Sequence, residues 1–203
     1  MDIFRAASYG NYQQVLDFLD AGGDPNITTP NLTGGARSLL SLAVNNVTDD
    51  VLLLLLEAGA DPNLGDPSPL NMAARRGNSS KMRVLLDAGA DPNDKNRWGL
   101  TPLHFAADSG RDDAIRLLLE AGADPTLTNL RGERPSQMSR NPKIKELLEE
   151  AEYAWNHPWT REEHRYYPEA QRLERVGALS VFRGQPGREL PPELREQVFR
   201  QLP

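Results

Sequence analysis

Acidic and amide side chains cluster in the loop at residues 91–96, which makes this loop the first place to look for metal chemistry. The loop reads DPNDKN, so oxygen-bearing side chains stand at alternate positions, as they do in calcium-binding loops. An EF-hand loop also needs Gly at its sixth position and Glu at its twelfth, where this sequence has Asn96 and Pro102. The pattern therefore argues against calcium, and we expect no bound metal.

Catalytic side chains are scarce. The chain has three histidines and no cysteine, so it has no disulfide framework, no thiolate nucleophile and no cysteine-rich zinc site. His157 and His164 are seven residues apart, and no third ligand stands at metal-binding spacing. No glycine-rich phosphate loop, nucleophile elbow or paired-carboxylate signature appears either. The sequence thus predicts neither an enzyme nor a cofactor.

Most of the acidic loops belong to a repeated segment. Four similar stretches read LDAGGDPN, LEAGADPN, LDAGADPN and LEAGADPT, with their turn aspartates at Asp24, Asp61, Asp91 and Asp124. The spacings of 37, 30 and 33 residues indicate one supersecondary unit copied in tandem. Carboxylates that recur with the architecture are expected to form scaffold rather than a single active site.

The best-defined copy, residues 96–126, carries the local signals of a helix pair. Pro102 stands at the first position of a first helix, where its missing amide donor costs nothing. Ala106 and Ala107 keep that helix thin, so that neighbouring units can approach. The leucine-rich second helix is apolar around most of its circumference and must be buried between units. Gly122 then ends it in a left-handed conformation.

The Thr-Pro-Leu-His stretch at residues 101–104 and the Gly-Ala-Asp-Pro turns resemble the ankyrin repeat. This resemblance implies an all-α solenoid of stacked helix pairs with β-hairpin-like fingers, and five pairs over residues 1–152. It also implies that His104 forms hydrogen bonds that join its finger to the adjacent repeat. The finger at residues 64–67 is predicted to be short, because LGDP leaves no room for a hairpin. A polar outer face is predicted for the last helix, suited to a closing cap, at Glu146, Glu149, Glu150 and Glu152.

Ankyrin arrays bind partner proteins on a concave face, and the resemblance implies the same here. By the repeat register, residues just after the Ala-Ala pair of each first helix face this groove, together with residues beside the finger glycine. They are Tyr9, Asn45, Arg75, Arg76, Asp108 and Ser109 in the helices and Arg97, Trp98 and Leu100 in the finger. An exposed Trp beside arginines has the composition of a binding hot spot. Arg75, Arg76 and Trp98 are expected to form one patch for an acidic or aromatic partner segment, and the alternative is that Trp98 packs onto its own finger.

Asn63 and Asn93 form a candidate site of another kind. Each follows a leucine by eight residues and an aspartate by two, which resembles the acceptor pattern of asparaginyl hydroxylation on ankyrin repeats. The chain would then be a substrate of that reaction. The alternative is that both are ordinary finger asparagines.

After the repeats the composition changes, and residues 153–203 form the predicted C-terminal extension. Two stretches in it favour helix, at 168–182 and 191–202. The second resembles the opening helix of an F-box, the element that docks onto the Skp adaptor of cullin-RING ubiquitin ligases. The residues that carry this likeness are Leu190, Pro191, Glu193, Leu194, Val198, Phe199 and Leu202.

Two other interpretations of this extension stay open. A SOCS box also connects ankyrin arrays to ubiquitin ligases, but its usual cysteine near the first helix is missing here. The likeness to an F-box covers only residues 190–203, and the later helices of a full F-box are not expected. The extension would otherwise fold back over the last repeat as a cap. The protein would then be a purely structural or inhibitory ankyrin binder.

The two parts of the chain differ in charge. Residues 1–152 carry a net charge of −7, whereas residues 153–203 carry +1. An acidic array argues against nucleic acid as a partner, because neutralising phosphates supplies most of that affinity. No apolar run approaches the roughly 20 residues of a membrane span, and the amino terminus has no apolar signal region. We therefore expect a monomeric intracellular protein, cytoplasmic or nuclear, without a membrane partner.

Overall fold

The computed structural model describes residues 2–29 and 35–156 of the 203-residue chain. The ten helices in these ranges form the five predicted pairs. They are α1 (Ile3–Tyr9), α2 (Tyr12–Asp20), α3 (Leu39–Ala43), α4 (Asp50–Glu57), α5 (Pro69–Arg76), α6 (Ser79–Asp87), α7 (Pro102–Asp108), α8 (Asp112–Glu120), α9 (Pro135–Met138) and α10 (Pro142–Asn156). The last helix continues past the boundary expected near residue 152.

The helices stack in two rows, which makes the fold a solenoid. In the first row, α1 packs on α3, α3 on α5, α5 on α7 and α7 on α9. In the second row, α2 packs on α4 and α6 on α8, and every second helix also contacts the first helix of its own pair. Among the described residues the β structure is limited to one isolated antiparallel bridge, between Thr28 and Ser38. The predicted all-α solenoid is confirmed.

Small side chains let the first helices approach one another. Alanine pairs near the carboxyl ends of three of these helices are at most 5% exposed, at Ala6 and Ala7, Ala73 and Ala74, and Ala106 and Ala107. Proline begins several of the same helices, because its fixed φ suits the first helical position. These prolines are Pro69, Pro102 and Pro135.

The second helices supply the larger side chains of the core. Leu55, Leu85 and Leu118 occupy the same position, four residues before the glycine that ends each helix, and all three are fully buried. They belong to one apolar cluster that runs through all five helix pairs. Because each pair buries its apolar face against its neighbours, the core is a ribbon rather than a single centre.

Asparagines in the Asp-Pro-Asn turns join successive repeats. Asn63 donates from Nδ2 to the carbonyl of Gly89 at 3.2 Å, and its Oδ1 accepts from the amide of Asp91 at 2.7 Å. Asn26 and Asn93 make the equivalent two bonds to the repeats that follow them. The turn aspartate two residues earlier accepts from the backbone amide of each asparagine, as in an Asx turn. Of the carboxylates in the candidate calcium loop, Asp91 thus stabilises a turn.

The fingers are short and contact one another edge to edge. The amide of Leu130 donates to the carbonyl of Trp98 in the preceding finger at 3.0 Å. Residues 64–68 contain only bends before α5 begins, and the Asp66 amide donates to the carbonyl of Ala36 at 2.9 Å. The finger that was predicted to be short is therefore short.

Glu152 lies inside the last helix pair, so its assignment to a polar outer face is wrong. Its Oε1 accepts a hydrogen bond from the Ser136 hydroxyl, and its Oε2 lies 3.0 Å from the Arg134 guanidinium. A buried carboxylate is costly without such partners, which here come from the start of α9. The other carboxylates of the predicted face are exposed or half-buried: Glu146, Glu149 and Glu150.

Candidate protein-binding surface

The predicted binding residues form two groups at opposite ends of the first helices. A finger precedes each first helix and a turn follows it. Since a helix rises about 1.5 Å per residue, the eight residues of α5 hold its finger and its turn about 10 Å apart. The finger group consists of Arg97, Trp98 and Leu100, and the turn group of Tyr9, Asn45, Arg75, Arg76, Asp108 and Ser109.

Trp98 is the centre of the finger group. Its side chain is 52% exposed, and the Arg97 guanidinium carbon lies 4.5 Å from the centre of its ring. Asp66 holds that guanidinium in place through an ion pair of 3.0 Å between Oδ2 and Arg97 Nε. Leu100 is half-buried beside them. Arg97 is thus the arginine against the indole ring, and about half of the Trp98 side chain stays exposed.

Leu130 extends this apolar surface, and the sequence reasoning missed it. It is 77% exposed, and its amide is bonded to the Trp98 carbonyl. The repeat register could have found it, because Leu130 follows Asn129 as Arg97 follows Asn96. Trp98 and Leu130 therefore place two large exposed apolar side chains on adjoining fingers.

Neighbouring turns in the turn group contact each other. Nδ2 of Asn46 donates to the carbonyl of Ala7 at 3.0 Å, and Nε of Arg111 donates to the carbonyl of Arg75 at 3.4 Å. The side chains of one repeat thus cap the helix end of the repeat before it. Exposed members of the group are Tyr9, Arg75, Arg76 and Asp108, and half-buried members are Asn45 and Ser109.

The turn between α3 and α4 is held by a buried lysine of the next repeat. Lys81 is fully buried on α6, and its ammonium donates to the carbonyls of Val44, Asn46 and Thr48 at 3.4, 2.5 and 3.1 Å. The Asp49 carboxylate lies 3.6 Å away. Burial lowers the pKa of Lys81, and the attraction of Asp49 opposes this shift.

A missing glycine explains why this turn needs the lysine. Equivalent turns end their first helix with a glycine at positive φ, namely Gly10 at 74°, Gly77 at 70° and Gly110 at 66°. Val47 takes that place in α3, and a β-branched residue adopts positive φ only at high cost. Helix α3 consequently ends at Ala43, and the ammonium of Lys81 caps the carbonyls that follow.

His104 has the structural role that the resemblance implied. The ring is fully buried, and its Nδ1 accepts a hydrogen bond from the Thr101 amide at 3.1 Å. Nε2 therefore carries the proton and donates to the Glu133 carbonyl in the next finger at 3.0 Å. Burial lowers the pKa of His104, which favours this neutral ring. Asn71 occupies the same position one repeat earlier, where its buried amide has no hydrogen-bond partner among the described residues.

Several predicted residues lie outside the described residues. They are His157 and His164 and the seven residues of the F-box-like segment, Leu190, Pro191, Glu193, Leu194, Val198, Phe199 and Leu202. Within residues 2–29 and 35–156, no three His, Cys, Asp or Glu side chains are grouped so that they could hold a metal ion. No helix in that part of the chain is both long and apolar enough to cross a membrane.

Comparison with known families gives one result. A family model described as ankyrin repeats (3 copies) matches the chain twice, over residues 3–96 and 40–129. The two matches overlap and together cover more than half of the chain. No match was found among curated proteins.

Proposed function

The chain belongs to the ankyrin repeat family, and from this premise we propose that it binds a partner protein on the face formed by its first helices and fingers. Ankyrin repeats are generally protein–protein interaction modules rather than enzymes. The observation that carries the proposal is the exposed pair of Trp98 and Leu130 on adjoining fingers, with Arg97 fixed against the indole. Large aromatic side chains held beside arginine dominate the binding energy of many interfaces.

The turn group extends the proposed site to the other end of the first helices. Arg75 and Arg76 are exposed and form no ion pair within residues 2–29 and 35–156, and we propose that both contact the partner. A partner segment that contacts both groups has to span at least the length of a first helix, about 10 Å. We propose that the array acts as a monomer in the cytoplasm or nucleus.

A partner can be identified by affinity purification on the chain and mass spectrometry. Trp98→Ala is expected to weaken its binding by about 2 kcal/mol or more, because the change removes a hot-spot side chain without disturbing the core. The double change Arg75→Glu and Arg76→Glu should weaken it by a similar amount. Titration calorimetry with each variant measures the loss, and Leu53→Ala, which removes a side chain exposed on α4, is the matched control. If affinity and thermal unfolding are both unchanged in the two test variants, the partner binds at another surface.

For the C-terminal extension we propose a second role, the recruitment of a ubiquitin ligase. Its support is the likeness of residues 190–202 to the first helix of an F-box. The array would then hold a substrate while the extension contacts a Skp adaptor. The alternative is a helix that caps the last repeat in a purely structural or inhibitory binder.

Replacing Leu194 and Phe199 by Asp separates these two roles. If the helix docks onto an adaptor, the change should abolish co-purification of a Skp–cullin complex and leave the melting temperature nearly unchanged. If it is a cap, the melting temperature should fall, because buried charges without partners are costly. Arg195→Asp, on the polar side of the same predicted helix, is the control. No effect on either measurement would reject both roles.

Asn63 and Asn93 are proposed as acceptors of asparaginyl hydroxylation. Their carboxamides join adjacent repeats through the bonds described above. Asn26 makes the equivalent bonds but follows Phe18 rather than a leucine by eight residues. Asn26 therefore has the structural role of these asparagines without the leucine of the modification pattern, and we expect it to stay unmodified.

A further inference from the structure

Charge is divided between the two faces of the solenoid, although the chain as a whole is acidic. The second helices and the turns that follow them expose mainly Asp and Glu, such as Asp50, Glu57, Asp87 and Glu120. Along the first helices and fingers the exposed charged side chains are mainly Arg and Lys, and Asp108 is the exposed acid within those first helices. One face of the array is therefore basic although the net charge of the chain is −6.

Among the described residues, most of these cations lack a carboxylate partner. Arg97 is paired with Asp66, and Arg134 with Glu152. Within the described residues, no ion pair is formed by six others of this face: Arg5, Arg37, Arg75, Arg76, Lys95 and Arg131. Arg131 follows Leu130 on the last described finger, so unpaired charge borders the exposed apolar pair.

We propose that the segment bound on this face is an acidic stretch of a partner protein that carries one large apolar side chain. The inference rests on the proposed binding function and names the chemistry of the partner. Carboxylates would meet the cations of the turn group and of Arg131, while the apolar side chain contacts Trp98 and Leu130. Complementary charge of this kind speeds association and selects among partners.

A protein segment fits this face better than nucleic acid. Arg97 already covers one face of the indole, and Leu130 offers an apolar contact that a phosphate backbone cannot use. A long polyanion would in addition be repelled by the net negative charge of the chain outside this face, whereas a short acidic segment can lie within it.

Fluorescence anisotropy on the full chain tests the proposal with three labelled probes. The first is a peptide of about 12 residues, which reaches roughly 40 Å when extended, with alternating Glu and Ser around a central Trp. The second has Lys in place of every Glu, and the third is a single-stranded oligonucleotide of equal net charge. The acidic peptide should bind at least about tenfold more tightly than either of the others and weaken as salt rises.

Charge-reversal variants locate the binding. Arg131→Glu and Arg75→Glu should each weaken the acidic peptide about fivefold or more. Arg83→Glu, which reverses an exposed charge on the second helix α6, should leave its affinity unchanged. Equal binding of the basic peptide, tighter binding of the oligonucleotide, or an equal loss in Arg83→Glu would overturn the proposal. A captured partner that is lost with Trp98→Ala but is insensitive to salt and to Arg131→Glu would overturn only the acidic chemistry and keep the binding function.

Discussion

Leu118→Ala is expected to lower the free energy of unfolding by about 2 to 5 kcal/mol. Leu118 is fully buried on α8, and the two neighbouring second-row helices α6 and α8 pack against each other. Removal of its isopropyl group loses the transfer free energy of three buried carbon atoms and leaves a cavity between repeats. Repeats stabilise one another through these interfaces, so the change should weaken the whole array rather than one helix.

Reversible chemical denaturation measures this loss. Leu53→Ala is the matched control, because Leu53 is 42% exposed on the equivalent helix α4 and its truncation should cost less than about 0.5 kcal/mol. A change of that small size in Leu118→Ala would contradict the burial assigned to it. Two separate transitions in the Leu118 variant would instead show that the repeats unfold independently at this interface.

The fold could be predicted from the sequence because its signals are local. Gly59, Gly89 and Gly122 end their helices or the turns just after them at φ of 85°, 90° and 87°, a conformation that glycine adopts without strain. A proline at the first helical position and a leucine run a fixed distance later mark the other ends. Each signal needs only a few neighbouring residues, and repetition along the chain fixes the register.

The parts that were missed depend on contacts between distant residues. The burial of Glu152 depends on Arg134 and Ser136, at the start of α9 in the same helix pair, which supply its hydrogen bonds. Arg97 is held by Asp66, which lies 31 residues earlier. Helical periodicity shows which residues share a face, but it does not show which polar side chains find partners inside.

The binding face could be predicted only in part. The exposure of Trp98 was predicted from the register, whereas the basic character of the whole face was not, because net charge sums over both faces of the solenoid. A count by repeat position would have separated them. The repeat register does not identify the partner. Residues in the groove differ between repeats, because the formation of the helices and turns does not depend on which side chains stand there.

Lys81→Ala is expected to lower the free energy of unfolding by about 3 kcal/mol. The change removes the cation that three carbonyls of the α3–α4 turn share, and Val44 among them is buried. Buried acceptors without donors cost more than the net value of the bonds they lose. Alanine itself fits, since Ala114 occupies the equivalent position on α8 and is fully buried.

Arg83→Ala on the same helix is the control for this variant. Its side chain is exposed, so its loss should change the free energy of unfolding by less than about 0.5 kcal/mol. Equal effects of the two changes would show that the helix, and not the bonds of the Lys81 ammonium, determines the loss.

A double-mutant cycle tests why the lysine is needed. If Val47 ends α3 early because it cannot adopt positive φ, then Val47→Gly should permit the helix end seen at Gly77, where the Asn78 amide bonds to the Ala73 carbonyl at 3.1 Å. The turn carbonyls would then depend less on Lys81. In the Val47→Gly background, Lys81→Ala should therefore cost about 1 kcal/mol less than in the natural chain. If the effects of the two changes on the free energy of unfolding are additive, the stabilisation by Lys81 does not depend on Val47. The ion pair with Asp49 would then be the main function of Lys81.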